Sequence, residues 1–262
     1  MRTNIIIAAT AILAVVVLFF AFRSTPKTES TFDVLRTELI DSLQYPNSMA
    51  LQEMHKDMVH AGGSSKTALL KQLSNEWLNL GQPAIASDYL RQLADNDPNY
   101  SNYMVAGSAL SSVIGFDDDD KIRANLVYGA RYCFEKALTF QPNDTDARIG
   151  LASVLVEGSN SPMEGITMLR GLDAEFPGNP KVNLELGRFS VMSGQFEKAI
   201  ERFDTVLQKD SLNLQARFMM AQAYLGLQDT AAAIKAYENL IDVSDDPTVR
   251  EQVGKEIQHL TH

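Results

Sequence analysis

The sequence is short of cysteine: Cys133 is the only one in 262 residues, so the chain cannot close an internal disulfide or build a cysteine-based metal site. It is also short of positive charge. With 23 Lys and Arg against 33 Asp and Glu, the formal net charge is −10. Phosphate backbones call for clustered Lys and Arg, so this balance argues against a nucleic-acid partner. Histidine is scarce as well. His55 and His60 are five apart and fall on different sides of a helix, while His259 and His262 sit at the end of the chain. Neither pair has helical spacing with further ligands nearby, so no metal is expected. No G-x-S-x-G nucleophile motif is present. Gly62-Gly63 ahead of Lys66-Thr67 lacks the spacing and the strand of a phosphate-binding loop and reads as a linker. The chain is therefore expected to have no catalytic residues, no cofactor and no small-molecule substrate, and not to be an enzyme.

The apolar content that is there, 45%, suits a folded chain. Part of it is concentrated at the start. After a short tail, residues 1–4, the run Ile5 to Phe22 is apolar except for Thr10 and is flanked by Arg2 and Arg23. At about 1.5 Å per residue this is long enough to cross a hydrocarbon core of about 30 Å. The run ends in Phe19-Phe20-Ala21-Phe22, a poor cleavage site, and no lipidation cysteine follows. Residues 5–22 thus read as an uncleaved transmembrane anchor rather than a signal peptide. The positive charges on its two sides are nearly balanced, and a four-residue tail is easily retained inside, which favours the rest of the chain outside the cytoplasm. The cytoplasmic face is the alternative.

Residues 23–66 hold a polar linker and two amphipathic stretches. Phe32, Leu35, Leu39 and Leu43 recur at helical spacing, as do Leu51, Met54 and Met58, with Tyr45-Pro46-Asn47-Ser48 between them. A helical hairpin is expected, similar to a degenerate repeat. Beyond it the chain repeats at about 34 residues. Ala199-Ile200 recurs as Ala233-Ile234, Phe203 as Tyr237, and Gly187 as Ala221. The same slots are filled by Leu73-Ser74, Trp77, Gly81, Ala86 and Leu90 in residues 67–100, and by Gly107-Ser108, Gly115, Ala130, Phe134 and Ala137 in residues 101–144. Leu151-Ala152, Gly165 and Leu169 mark residues 145–179; residues 180–213 and 214–247 complete the series, with Gln228 standing where a turn Gly belongs. Small residues let two helices of a hairpin cross closely, and large ones fill the space beside them. Residues 248–262 make one more amphipathic helix through Val249, Val253, Ile257 and Leu260. The acidic run Asp117 to Asp120 lacks the spaced ligands and internal Gly of a calcium loop. It reads as an exposed turn capping a lengthened helix, open to proteolysis at the Asp117 to Lys121 sequence.

These residues resemble the tetratricopeptide repeat (TPR) family over residues 67 to 262. The resemblance implies an all-α fold: a helical-hairpin solenoid of about five repeats with a C-terminal capping helix, preceded by the one transmembrane helix. It also implies a scaffold or adaptor that presents a groove to a protein segment, apolar and extended or helical. Carried over by repeat position, the expected partner-binding residues are Lys71, Asn75, Val105, Ile149, Leu184, Arg188, Phe218 and Gln222. Val105, Ile149, Leu184 and Phe218 should form one apolar stripe, with Arg188 available to a partner carboxylate or carbonyl. Lys71 and Asn75 match the subgroup that clamps a chaperone's C-terminal carboxylate, but Ala106, Asp146 and Gly150 break that clamp. Anchor plus array is similar to bacterial inner-membrane proteins with a periplasmic repeat domain, which serve envelope protein biogenesis or complex assembly. The alternative is an accessory subunit or chaperone, of the secretion or cytochrome c maturation type, with its activity in the hairpin at residues 31 to 60.

Overall fold

The computed structural model describes residues 31–42, 48–116, 119–158 and 162–261. The anchor run 5–22 and Asp117-Asp118 lie outside the described residues. Among the described residues every regular element is helical: α1 (Thr31–Ser42), α2 (Ser48–His60), α3 (Gly63–Asn79), α4 (Pro83–Asn96), α5 (Tyr100–Val113), α6 (Asp120–Phe140), α7 (Thr145–Gly158), α8 (Pro162–Glu175), α9 (Pro180–Met192), α10 (Phe196–Lys209), α11 (Leu214–Gly226), α12 (Thr230–Val243) and α13 (Pro247–Thr261), with a 3-10 turn at Ile114–Phe116. No described helix is long and apolar enough to cross a membrane.

The described residues fall into two compact units, the first ending at Gln52 and the second starting at Glu53. In the first, α1 buries Phe32 and Ile40 and holds Arg36 against Asp33 at 2.8 Å. The second is a stack of hairpins. α3/α4, α5/α6, α7/α8, α9/α10 and α11/α12 each pack as a pair; each second helix packs on the first helix of the next pair, and α13 closes the stack against α12. The first helices also meet one another, α5 with α7, α7 with α9, and α9 with α11. α3 starts at Gly63, four residues before the expected repeat boundary at Thr67, so the linker ahead of it is short.

The residues at the repeating slots explain the stack. Phe134 of α6 lies against Gly107 of its own pair and Gly150 of the next. A Cβ on Gly107 would come 3.1 Å from the ring, and one on Gly150 2.5 Å from its Cε1. Gly187 admits Phe203 in the same way, with a built Cβ 2.5 Å from that ring. Where Ser74 replaces glycine, its hydroxyl donates across the crossing to the Ala86 carbonyl at 2.9 Å. Trp77, Phe203, Tyr237, Ala199 and Ala233 are fully buried. The helices start on side-chain caps: Asn99, Asp144, Asn179, Asn213 and Asp229 each accept from backbone N–H groups of the first turn. Asp119 caps α6 in the same manner, accepting from Lys121 and Ile122 N–H. This is the role expected for the acidic run, and α6 is the lengthened helix.

Turns inside the pairs use a left-handed residue, Gly81 at φ 71° and Gly194 at φ 72°. In the last pair Gln228 adopts the same geometry at φ 62°. It is an L residue in a conformation that glycine holds more cheaply.

Candidate functional site

The first helices α5, α7 and α9 line a groove of about 970 Å³ in the second unit. Its walls come from Met104, Ser108, Ser111 and Ser112 on α5; Asp146, Ser153 and Glu157 on α7; and Lys181, Glu185, Arg188 and Met192 on α9. Gln215 of α11 belongs both to this groove and to an adjoining slot of about 670 Å³. That slot lies between α11 and α13 and is floored by Leu214, Phe218, Leu240, Val249 and Val253. α13 packs on α12 but does not approach α11, whereas α7, α9 and α11 pack in sequence. The slot is therefore where the row of first helices stays open.

The groove is polar at its centre, not apolar as the sequence suggested. Glu157 and Glu185 flank Arg188, all three about one-fifth exposed. Arg188 donates to Glu157 Oε1 through Nη1 and to Glu185 Oε2 through Nη2 at 2.7 Å. Ser153 Oγ donates to the same Glu185 oxygen at 2.8 Å. Burial alone would lower the Arg188 pKa; Glu185 and Glu157 more than offset it, so the guanidinium is held above its usual range. Its face also lies 4.2 Å from the Phe189 ring centroid. Toward the rim, Lys181 Nζ pairs with Asp146 at 2.6 Å. Ser111 Oγ is buried without a hydrogen-bond partner.

The expected site residues divide unequally. Phe218 and Gln222 line the terminal slot, and Arg188 and Ile149 line the groove. Gln222 donates to the Tyr237 hydroxyl at 2.5 Å. Val105 is exposed (52%) but is not among the groove-lining residues, and Lys71 and Asn75 are on α3, away from both cavities, with Lys71 exposed and Asn75 exposed. The continuous apolar stripe is absent. Ile149 is 8% exposed and belongs to a core cluster with Ala152, Leu169 and Leu186, and Leu184 packs against the core around Phe203. Nor is Arg188 free for a partner's carboxylate, since two carboxylates already hold it.

Helical geometry gives the reason. On α7 and α9 most groove-lining residues occupy the second, sixth, ninth and thirteenth positions of their repeats: Asp146, Gly150, Ser153 and Glu157, then Lys181, Glu185, Arg188 and Met192. At about 100° per residue these share one face, while the fifth and twelfth positions are turned from the second by roughly 60–80°. On α7 and α9 that turn carries Ile149 and Leu184 into the packing between helices, whereas on α5 the twelfth residue, Ser112, still lines the groove. The residues missed are the partners across repeats: Glu185, which accepts from Ser153, and Glu157, which accepts from Arg188.

An all-helical stack of paired helices with small-residue crossings and aromatic plugs defines the class: a helical repeat protein. The Tetratricopeptide repeat family profile matches residues 190–251, from the end of α9 into α13. Among solved structures it is similar to TTC0263, a thermophilic TPR protein of Thermus thermophilus, at 14% identity over 72% of this chain and 97% of that one, with a TM-score of 0.54. It is also similar to PilW, a type IV pilus biogenesis factor, at 16% identity over 76% and 87%, with a TM-score of 0.51. MamA residues 41-end from Desulfovibrio magneticus RS-1 align at 20% identity over 71% and 100%, with a TM-score of 0.45. At such identities the first two show the fold alone. No curated protein matches the chain.

Proposed function

We propose that this chain is a membrane-anchored scaffold that holds a segment of a partner protein in the groove lined by α5, α7 and α9. One observation carries the reading. The groove of about 970 Å³ runs across three consecutive repeats, with serines and charged side chains on its walls over a floor that includes Phe134, Ile149 and Val154 of the core. Ser108 is exposed on its wall, and so is Ser112 in part. Such a channel offers hydrogen-bond donors and acceptors to a peptide backbone, with Met104 and Met192 as adaptable apolar contacts.

The anchor is residues 5–22, and the repeats stand on the periplasmic side of a bacterial inner membrane. What supports this is the length and apolarity of that run and its poor cleavage site. The scaffold then works in envelope protein biogenesis or complex assembly.

The test uses the full chain in native membranes. Ser112→Trp fills the groove from its wall and should abolish capture of the partner while leaving the thermal midpoint unchanged. Capture at wild-type level by that variant would place the interface elsewhere. Reporter fusions at residues 30 and 262 should both read outside the cytoplasm; cytoplasmic signals from both would reverse the orientation.

A further inference from the structure

The groove lining holds three cations and three carboxylates, but they do not pair off evenly, and this deepens the reading just given, on which it rests. Lys181 is matched by Asp146, and Arg123 at the groove wall is matched by Asp120. In the adjoining slot Lys255 is matched by Glu251. At the centre, however, one guanidinium serves two carboxylates, Glu157 and Glu185. One negative charge is left over, on groups only about one-fifth exposed. Among the described residues no hydrogen bond reaches the second oxygen of either carboxylate. A segment laid over these carboxylates would strip their remaining water, and desolvating an unbalanced charge is costly unless the incoming group compensates it. The compensating group is a cation. A partner carboxylate is disfavoured by the same leftover negative charge.

The slot between α11 and α13 adds a second requirement. Its floor of Leu214, Phe218, Leu240, Val249 and Val253 is apolar, and its rim carries the amides of Gln215, Gln222 and Gln252 together with Glu256 and His259. Phe218 stands 39% exposed at its edge. Gln215 joins the slot to the groove, so one segment can occupy both. Neighbouring helices are about 8–10 Å apart, which puts the slot roughly 10–20 Å from the Glu157 and Glu185 carboxylates. An extended chain covers that span in about three to six residues.

We propose that the groove takes an extended segment of a partner protein that carries a lysine or arginine and, about three to six residues away, a large apolar side chain. The cation sits between Glu157 and Glu185; the apolar side chain fills the slot beside Phe218.

The experiment is selection of a phage-displayed random twelve-residue peptide library on the full chain in detergent micelles. Enriched peptides should share a Lys or Arg and a bulky apolar residue at that spacing. The best of them, made synthetically, should bind at least tenfold more weakly when its Lys or Arg is replaced by norleucine or citrulline. This measurement uses the wild-type chain and is immune to folding defects. Affinity should also fall at least tenfold in Glu157→Gln/Glu185→Gln and in Phe218→Asp, and should weaken as salt is raised. Peptides that Ser112→Trp rejects but that carry no basic residue would overturn the cation and leave the groove standing. Peptides indifferent to Ser112→Trp would sink the groove reading itself. No enrichment over a bare matrix, or citrulline peptides binding as well as arginine ones, would also overturn the proposal.

Discussion

Replacing Gly165 with alanine should destabilise the chain, while the same replacement at Gly171, on the same helix α8, should stabilise it. Alanine is the better helix former by about 0.8–1 kcal/mol, and on propensity alone both changes should help. The structure separates them. A Cβ at Gly165 would overlap the Ala152 carbonyl oxygen and lie 2.7 Å from Val156 Cγ2 and 3.0 Å from Val156 N. Two of these three atoms are backbone of α7, so no rotamer change relieves the contact and the crossing of α7 and α8 must open. That opening loosens the core around Ile149, Ala152, Leu169 and Leu172. Overpacking of this kind costs about 1–3 kcal/mol, and contact with unyielding backbone belongs in its upper half, leaving a net loss of up to about 2 kcal/mol after the propensity gain. At Gly171 a Cβ meets nothing within 4 Å, so the gain of about 0.5–1 kcal/mol survives. Chemical denaturation of the full chain in detergent reads both. Because stacked repeats need not unfold as one unit, amide exchange in α7 and α8 should accompany it, with protection falling in Gly165→Ala and rising or holding in Gly171→Ala. Equal shifts of the same sign would refute the close crossing.

Gln228→Gly should raise stability by about 1 kcal/mol, read as a higher denaturation midpoint, since it removes the left-handed strain of an L residue at φ 62°. A fall would mean the Gln228 side chain holds the turn. Stability should also decline as pH rises from about 8.5 through 12. Burial pushes the Cys133 thiol up to about 12, and burial with the Asp144 carboxylate pushes the Tyr100 hydroxyl up to about 12. Both groups stay protonated in the folded chain while the unfolded chain loses those protons, so the unfolded state gains with pH; a flat denaturation midpoint over that range would count against it. By the same burial, Cys133 should resist alkylation at about pH 8 until denaturant is added, and mass spectrometry would show otherwise at once. Enteropeptidase should fail to cut after Lys121 in the folded chain, because Lys121 and Ile122 lie in the first turn of α6 under the Asp119 cap; rapid nicking would mean that turn is open.

The repeat was legible because packing is written into residue size. Gly187 with Phe203 and Ala221 with Tyr237 share one spacing, which the insert ahead of Ala130 lengthens for Gly107 and Phe134, and each crossing needs a small residue facing a large ring. The lengthened helix and its acidic cap were legible for a similar local reason, since Asp119 needs only the N–H groups of the next turn. The binding face was less legible. The same slots that identify the repeat mark the positions turned toward neighbouring helices, so reading outward from them placed Ile149 and Leu184 on the surface when they are packed inside. The polar centre depends on pairs between repeats, Ser153 with Glu185 and Glu157 with Arg188, separated by 32 and 31 residues. Their spacing falls just short of the repeat period of about 34 residues. A search for opposite charges at that offset would have found Glu157 with Arg188, though not the serine that joins Glu185. The open slot beside Phe218 was hidden for another reason: it depends on where α13 lands against α12, which no periodicity encodes.

The central claim is that partner proteins are held in the groove of the first helices. Site-specific photocrosslinking tests it most directly. A photoreactive phenylalanine analogue is placed in the full chain at Ser112 or Gln222, on the groove and slot walls, and at Thr167 or Glu135, exposed on second helices. After irradiation of native membranes, the same adduct should form from Ser112 and Gln222 and not from Thr167 or Glu135. Adducts from Thr167 or Glu135 alone would contradict the account and move the binding face to the second helices.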